Sequence, residues 1–217
     1  MKKTIIFDID GTLIDSTRMH AEAWREAFRQ FGYNFEVSEL ISHIGRGDRG
    51  LVIDFVGAKE YERIGKQIAS KHQGTFAHLG EAKPFPMVKE LFAELRRRGK
   101  TILLASSAAR QTVEKHIRLL SVQDWIDGKV SGSDVTLGKP APDIFHTALT
   151  MVSAKPEESA VVGDSVWDVE AAKNAGIDSV AVLTGGVPAE LLRKSGAKEI
   201  YRDIAELHRN LDKSLLR

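Results

Sequence analysis

The chain has 217 residues, enough for one full α/β core with a smaller unit beside it. Lys and Arg number 31 against 30 Asp and Glu, a formal net charge of +1, so no nucleic acid or membrane partner is implied and a small molecule is the default. With no cysteine, disulfides, thiolate metal sites and cysteine nucleophiles are excluded.

The apolar run behind Met1-Lys2-Lys3 is too short for a secretory h-region and is broken by Asp8 and Asp10. No stretch reaches membrane-spanning length, and a cytoplasmic protein is expected. Thr4 to Ile9 is short, β-branched and nearly continuous, which predicts a strand buried on both faces of a parallel sheet. Gly11 ends it. An ordinary Asp-Gly turn would explain Asp10, but Asp8 sits inside the apolar run, where an unpaired charge is expensive.

Ser16 is placed to cap a helix running to Gly32, with His20, Trp24, Ala27, Phe28 and Phe31 on one stripe. From Val37 to Leu79 the pattern predicts only helices, joined at 44–50 and around Val56-Gly57, and Gly80 to Pro86 reads as a return linker. Strands and helices then alternate. A helix from Met87 stops at Gly99, its last turn carrying Arg96, Arg97 and Arg98, with Lys100 just beyond, where cations complement the helix dipole. Strand Thr101 to Ala105 ends at Ser106-Ser107, and helix Gln111 to Leu120 follows. A short strand, Lys129 to Ser131, leads to Leu137-Gly138-Lys139-Pro140 and a helix through Met151. Strand Ser159 to Val162 ends at Gly163-Asp164-Ser165, helix Val166 to Ala175 follows, and strand Ser179 to Leu183 ends at a turn, Thr184-Gly185-Gly186. This alternation predicts a doubly wound parallel sheet with a helical insert after the first strand.

Four strands thus deliver chemistry at or near their carboxyl ends: Asp8 and Asp10, Ser106, Lys139, and Asp164 with Asp168. Such ends converge on one crevice, where carboxylates suit a divalent cation and a hydroxyl with an ammonium suits phosphate. Taken singly, Ser106 could cap a helix, Lys139 could be a surface lysine and Asp164 an N-cap.

Asp8-Ile9-Asp10-Gly11-Thr12, Ser106, Lys139 in Gly-Lys-Pro-Ala-Pro-Asp, and Gly163-Asp164-Ser165-Val166-Trp167-Asp168 together resemble the four motifs of the haloacid dehalogenase (HAD) superfamily, in the family's order. The insert resembles the type 1 helical cap of the phosphoglycolate phosphatase and β-phosphoglucomutase branch. The resemblance implies a Rossmann-like core of residues 1–15 and 84–217 and a cap of residues 16–83, hinged near Ile14-Asp15 and Gly80 to Pro86. It implies a phosphatase in which Asp8 attacks phosphorus and Asp10 serves as general acid and then base. Ser106, Lys139, Ser107 and Thr12 would surround the phosphate. Mg²⁺ would rest on Asp8, the Asp10 carbonyl and Asp164, with Asp168 supporting the metal's waters or Lys139. The substrate would be a small phosphorylated metabolite, and the enzyme a monomer or homodimer.

Aspartate at the second motif position argues against dehalogenation. His20 matches a residue that helps position the acid, although a packed histidine beside Trp24 explains it equally, and Arg49 matches an arginine that grips substrate in the mutases. Against a phosphosugar mutase, Gly163 stands where mutases carry an extra acid, and His72 falls near the position of their cap lysine. A non-catalytic phosphate-binding module on the same fold is the alternative from another class, opposed by the intact set of acids and Lys139.

Overall fold

The computed structural model describes residues 1–217. The first apolar run forms β1 (Thr4–Phe7), with all four residues buried. A short β2 (Ile14–Asp15) leads into α1 (Thr17–Arg29), α2 (Val37–Ile41) and α3 (Asp48–Val56). Then α4 (Ala58–Glu60) continues through a π-helical stretch, Tyr61–Gly65, into α5 (Lys66–His78), and β3 (Lys83–Pro84) brings the chain back. The alternating part follows as α6 (Val88–Arg97), β4 (Thr101–Ser106), α7 (Arg110–Leu120), β5 (Gly128–Ser131), α8 (Asp143–Met151) and β6 (Ser159–Gly163). It ends with α9 (Val166–Asn174), β7 (Asp178–Val182), α10 (Ala189–Ser195), β8 (Glu199–Tyr201) and α11 (Ile204–Arg209).

Six strands form one parallel sheet in the order β5-β4-β1-β6-β7-β8. From β1 the chain builds outward through β4 and β5 on one side, then crosses to β6, β7 and β8 on the other. The strand order therefore reverses beside β1, and the crevice at the carboxyl ends of β1, β4 and β6 is the topological switch point where open α/β sheets bind ligands. Alternate strand residues enter opposite layers. Ile5, Phe7, Ile102, Leu104, Ala160 and Val162 pack with α6, α7 and α11, whereas Ile6, Leu103, Ala105 and Val161 pack with α8 and α9. Two covered faces account for strands that are apolar without interruption.

The helices between β2 and β3 have an apolar cluster of their own, in which Trp24 and Phe28 of α1 meet Leu40, Leu51, Val52, Ile64 and Ile68. The connections into and out of this insert pair with each other: β2 and β3 form an antiparallel ribbon, Ile14 opposite Pro84 and Asp15 opposite Lys83. The basic cluster is absorbed locally, since Arg97 and Arg98 pair with Glu94, Arg96 pairs with Asp127, and Lys100 is buried with its ammonium on the Lys2 carbonyl. No helix is long and apolar enough to cross a membrane.

Phe92 of α6 is fully buried, its ring centroid 4.8 Å from that of Phe7 on β1. Phe92→Ala should cost about 3–5 kcal/mol through lost transfer energy and an unfilled cavity. Urea unfolding checks this, with the midpoint lowered and the slope unchanged.

Candidate active site

At the end of β1 the chain turns through Gly11 at φ +83°, and Asp8 and Asp10 enter different surroundings. The Asp8 carboxylate accepts a 2.6 Å hydrogen bond from Lys139 Nζ, which donates equally, at 2.6 Å, to Asp168. All three side chains are buried. Asp168 is fixed by the first turn of α9, where Ser165 caps the helix and donates to the Asp168 carboxylate through both its hydroxyl, at 2.6 Å, and its amide, at 3.1 Å. Asp164 completes the group: one oxygen from each of Asp8, Asp164 and Asp168 lies within 4.8 Å of the others. The Thr12 hydroxyl donates to Asp164 at 2.7 Å.

Asp10 points into a cluster of hydroxyls and imidazoles. Ser16 donates to one carboxylate oxygen at 2.7 Å, and His20 Nε2 and His116 Nδ1 approach the same oxygen at 3.2 and 3.4 Å. Ser106 donates to the other oxygen at 3.3 Å. These contacts separate the two acids. Burial pushes the Asp8 carboxyl up, Lys139 only partly opposes this, and Asp168 adds to it. Burial would also raise Asp10, but His20 first, and then His116 and Ser16, outweigh it and hold the carboxyl below the usual carboxylate range. Burial, with Asp168 and Asp8, raises Asp164. Lys139 loses by burial but gains more from Asp168 and Asp8, and stays charged.

Asp8, Asp10, His20, Ser106, Ser107 and His72 line a cavity of about 250 Å³. A larger one of about 710 Å³ abuts it, sharing Gly47, Asp48, Gln73 and Ser107, and is bounded by Arg49, Tyr61 and Lys66 of the insert and by Leu137 and Lys139 of the core. The sheet therefore gathers Asp8, Asp10, Ser106, Lys139, Asp164 and Asp168 into one neighbourhood, with His20 beside them.

Several residues stand differently from the sequence expectation. Thr12 is fully buried and spends its hydroxyl on Asp164, outside both cavities, so it is not positioned to touch substrate through its side chain. Ser107 reaches the cavities, but its hydroxyl donates to the Gly45 carbonyl of the insert at 2.7 Å. Arg49 borders only the larger cavity, its guanidinium 4.7 Å over the Tyr61 ring and 3.4 Å from Glu62. Ser16 begins α1 without making a cap bond, and its hydroxyl donates to Asp10. Ser106 does not cap α7 either: its oxygen accepts the Ala108 amide at 3.1 Å while donating to Asp10.

One contributor carries no motif in the sequence. His116 is buried on the α7 stripe formed with Val113, Ile117 and Leu120, and a titratable residue on an apolar stripe was the available signal. The Thr184-Gly185-Gly186 segment reads in the sequence as a simple turn in preference to a backbone approach to the site; here it does approach, and a Cβ at Gly185 would overlap the Asp164 carboxylate.

Comparison with known proteins agrees with this arrangement. Residues 2–176 match the family described as haloacid dehalogenase-like hydrolase. A pyrophosphatase PpaX of Bacillus cereus is 27% identical over 216 residues, covering 97% of this chain and 98% of that protein. Among solved structures, a hydrolase from Pseudomonas syringae superposes with a TM-score of 0.88 at 27% identity, over 98% of this chain and 99% of that one. CbbY from Rhodobacter sphaeroides, in complex with phosphate, does so with a TM-score of 0.75 at 25% identity, over 95% and 96%. The family match spans most of the chain and takes in every strand end that carries a site residue, so the chain belongs to the haloacid dehalogenase-like hydrolases.

Proposed function

We propose that the chain is an Mg²⁺-dependent phosphatase that hydrolyses a phosphate monoester of a small metabolite through an aspartyl phosphate on Asp8. The observation that carries this reading is the Asp8–Lys139–Asp168 bridge with Asp164 beside it, facing a cavity that Asp10 enters from a separate cluster. The acids fit a divalent cation. Three buried carboxylates face one ammonium, and Lys139 takes one oxygen of Asp8 while Thr12 takes one of Asp164, leaving the second oxygen of each without a donor. Small, hard Mg²⁺ takes one or two carboxylates together with phosphate oxygens and water. Bound there by Asp8 and Asp164, it would supply charge that keeps Asp8 ionised and draws off negative charge from the phosphoryl oxygens.

In the first half-reaction an Asp8 oxygen attacks phosphorus while Asp10, which must first take up a proton from solvent because its neighbours hold it ionised, gives that proton to the departing alcohol oxygen. In the second, Asp10 takes a proton from water that attacks the same phosphorus and frees Asp8. Lys139 and Ser106 would steady the transferring oxygens, and Asp168 would hold Lys139 in line. The larger cavity would take the leaving group. Its volume of about 710 Å³ suits an organic group. The relatives support phosphoryl chemistry: the CbbY structure holds phosphate, and PpaX is named a pyrophosphatase. A mutase is disfavoured by Gly163, where a side chain would collide with Asp168. The insert would close over substrate on the β2–β3 ribbon.

Hydrolysis of p-nitrophenyl phosphate should require Mg²⁺, and Asp8→Asn should lower kcat by at least about a thousandfold. Retained Mg²⁺-dependent turnover in that variant would exclude the covalent route. Phosphate release across a panel of phosphorylated metabolites identifies the substrate class. For a β-sugar 1-phosphate with a bisphosphate primer, release should outpace isomer formation.

Stability provides an independent check. A carboxyl raised by folding contributes stability that is fully present below its unfolded pKa and lost as pH rises through its folded one. For Asp8 that window runs from 3.8 to about 8. In chelator the protein should therefore lose stability across this range. At about pH 7.5, Mg²⁺ at about a hundredfold its Kd should raise the melting temperature by about 5–10 °C, an increment that shrinks toward pH 5. Asp164→Asn should melt above the wild type in chelator and gain little from Mg²⁺, as scanning fluorimetry would reveal.

A further inference from the structure

His72, on α5, has no part in the chemistry described above, yet its imidazole lies one residue away from Asp10. His72 Nε2 is 3.1 Å from His20 Nδ1, and His20 Nε2 is 3.2 Å from the Asp10 carboxylate. Both rings are buried and clamped: His72 stacks on Trp24 at 4.0 Å and 6°, and His20 stacks on Phe76 at 3.9 Å and 6°. Stacking holds each imidazole in plane, and with the ring nitrogens so placed the direction of each hydrogen bond is set by where the protons sit.

We propose that His72 is a positioning residue for Asp10: its Nε2–H donates to His20 Nδ1 and thereby fixes the tautomer in which His20 Nε2–H donates to the Asp10 carboxylate. The assignment follows from both ends of the chain. At the far end, His72 Nδ1 is buried with no partner. An orphaned buried N–H is rarer and costlier than an orphaned lone pair, so the single proton of the neutral ring belongs on Nε2. Burial holds His72 well below its usual 6.5, which keeps it neutral. At the near end, with Nδ1 accepting from His72, the nitrogen left to carry the His20 proton is Nε2, which faces the Asp10 carboxylate at 3.2 Å. The opposite direction of donation would put a proton on the partnerless His72 Nδ1.

The consequence is that an insert residue sets the donor presented to the group that moves the proton, a role that rests on the assignment of Asp10 above. Without His72 the His20 proton is free to move to Nδ1, turning a lone pair toward the carboxylate and loosening its aim at the leaving oxygen. Substrate would still bind, because His72 contacts neither the Asp8 nor the Lys139 cluster.

Long-range ¹H–¹⁵N correlation spectra of histidine-labelled protein read the tautomer directly. The wild type should show His20 protonated at Nε2 and bare at Nδ1. His72→Leu should broaden or mix this signature and lower kcat about five- to tenfold, the worth of one hydrogen bond, with KM within about twofold. His72→Gln, whose amide can donate to Nδ1, should restore the His20 signature and most of kcat. A wild-type spectrum with the His20 proton on Nδ1 overturns the proposal whatever the enzyme hydrolyses, and needs no variant to fold. An unaltered His20 spectrum and kcat in His72→Leu overturns it as well. The predicted tautomer, shifted by His72→Leu in a protein that hydrolyses no phosphate ester, would support the His72 assignment and overturn the phosphatase reading instead.

Discussion

Lys139 reaches Asp8 and Asp168 at 2.6 Å each with its side chain completely buried, so three distant parts of the chain meet at one ammonium. They are the end of β1, the loop beyond β5 and the first turn of α9. Taking the ammonium away would leave buried carboxylates uncompensated, a loss of about 3–5 kcal/mol in comparable pairs. The neighbouring backbone is built to permit this density of charge. A Cβ at Gly163 would overlap the Asp168 side chain, and Cβ atoms at Gly11 and Gly185 would overlap the Asp164 carboxylate. Glycine at these positions lets three acids approach one another at a distance that ordinary side chains would prevent, and the cost of that approach is what a divalent cation would relieve.

The sequence made the central strands legible because both their faces are buried, and it made the acids legible because charge at the end of such a run has no cheap explanation. Strands β1, β4 and β6 and the residues Asp8, Asp10, Ser106 and Asp164 follow from that contrast. Where the contrast fades, so does the signal. The three residues of β8, Glu199 to Tyr201, are all half-buried at the sheet edge, too short and too mixed to announce a strand, and α10, β8 and α11 went unassigned. His116 has the spacing of a core residue, and only the approach of α7 to β1 gives it Asp10 as a neighbour. Thr12 shows the converse: a hydroxyl beside two acids in the motif suggests a role on substrate, whereas its proton is given to Asp164.

The insert is joined to the core by more than its two linkers. Trp167, one residue before the acid that holds Lys139, donates its indole N–H to the Ser42 carbonyl at 3.1 Å, and the Arg46 guanidinium lies 4.5 Å over its ring. Arg46 is in turn held by Asp54 at 2.7 Å. On the opposite side of the crevice Ser107 binds the Gly45 carbonyl. Residues 42–46 of the insert are thus gripped from the fourth motif and from the second. The residues that make these contacts, Trp167 and Ser107, adjoin Asp168 and Ser106 of the site.

Asp8 and Asp10 show why residue type alone does not assign a chemical role. They are the same side chain, two positions apart, at the end of one strand. The strand turns Asp8 toward two other acids and a lysine, so that burial and repulsion raise its proton affinity until a cation is near. The turn at Gly11 directs Asp10 instead toward His20, His116, Ser16 and Ser106, which keep it ionised without a metal. An acid whose charge depends on a cation is suited to act only when the cation and its phosphate ligand are present. An acid whose charge depends on histidines is suited to exchange protons with whatever enters the cavity. The division of labour thus lies in the neighbours, supplied by α1, α7 and α9, rather than in the aspartates themselves.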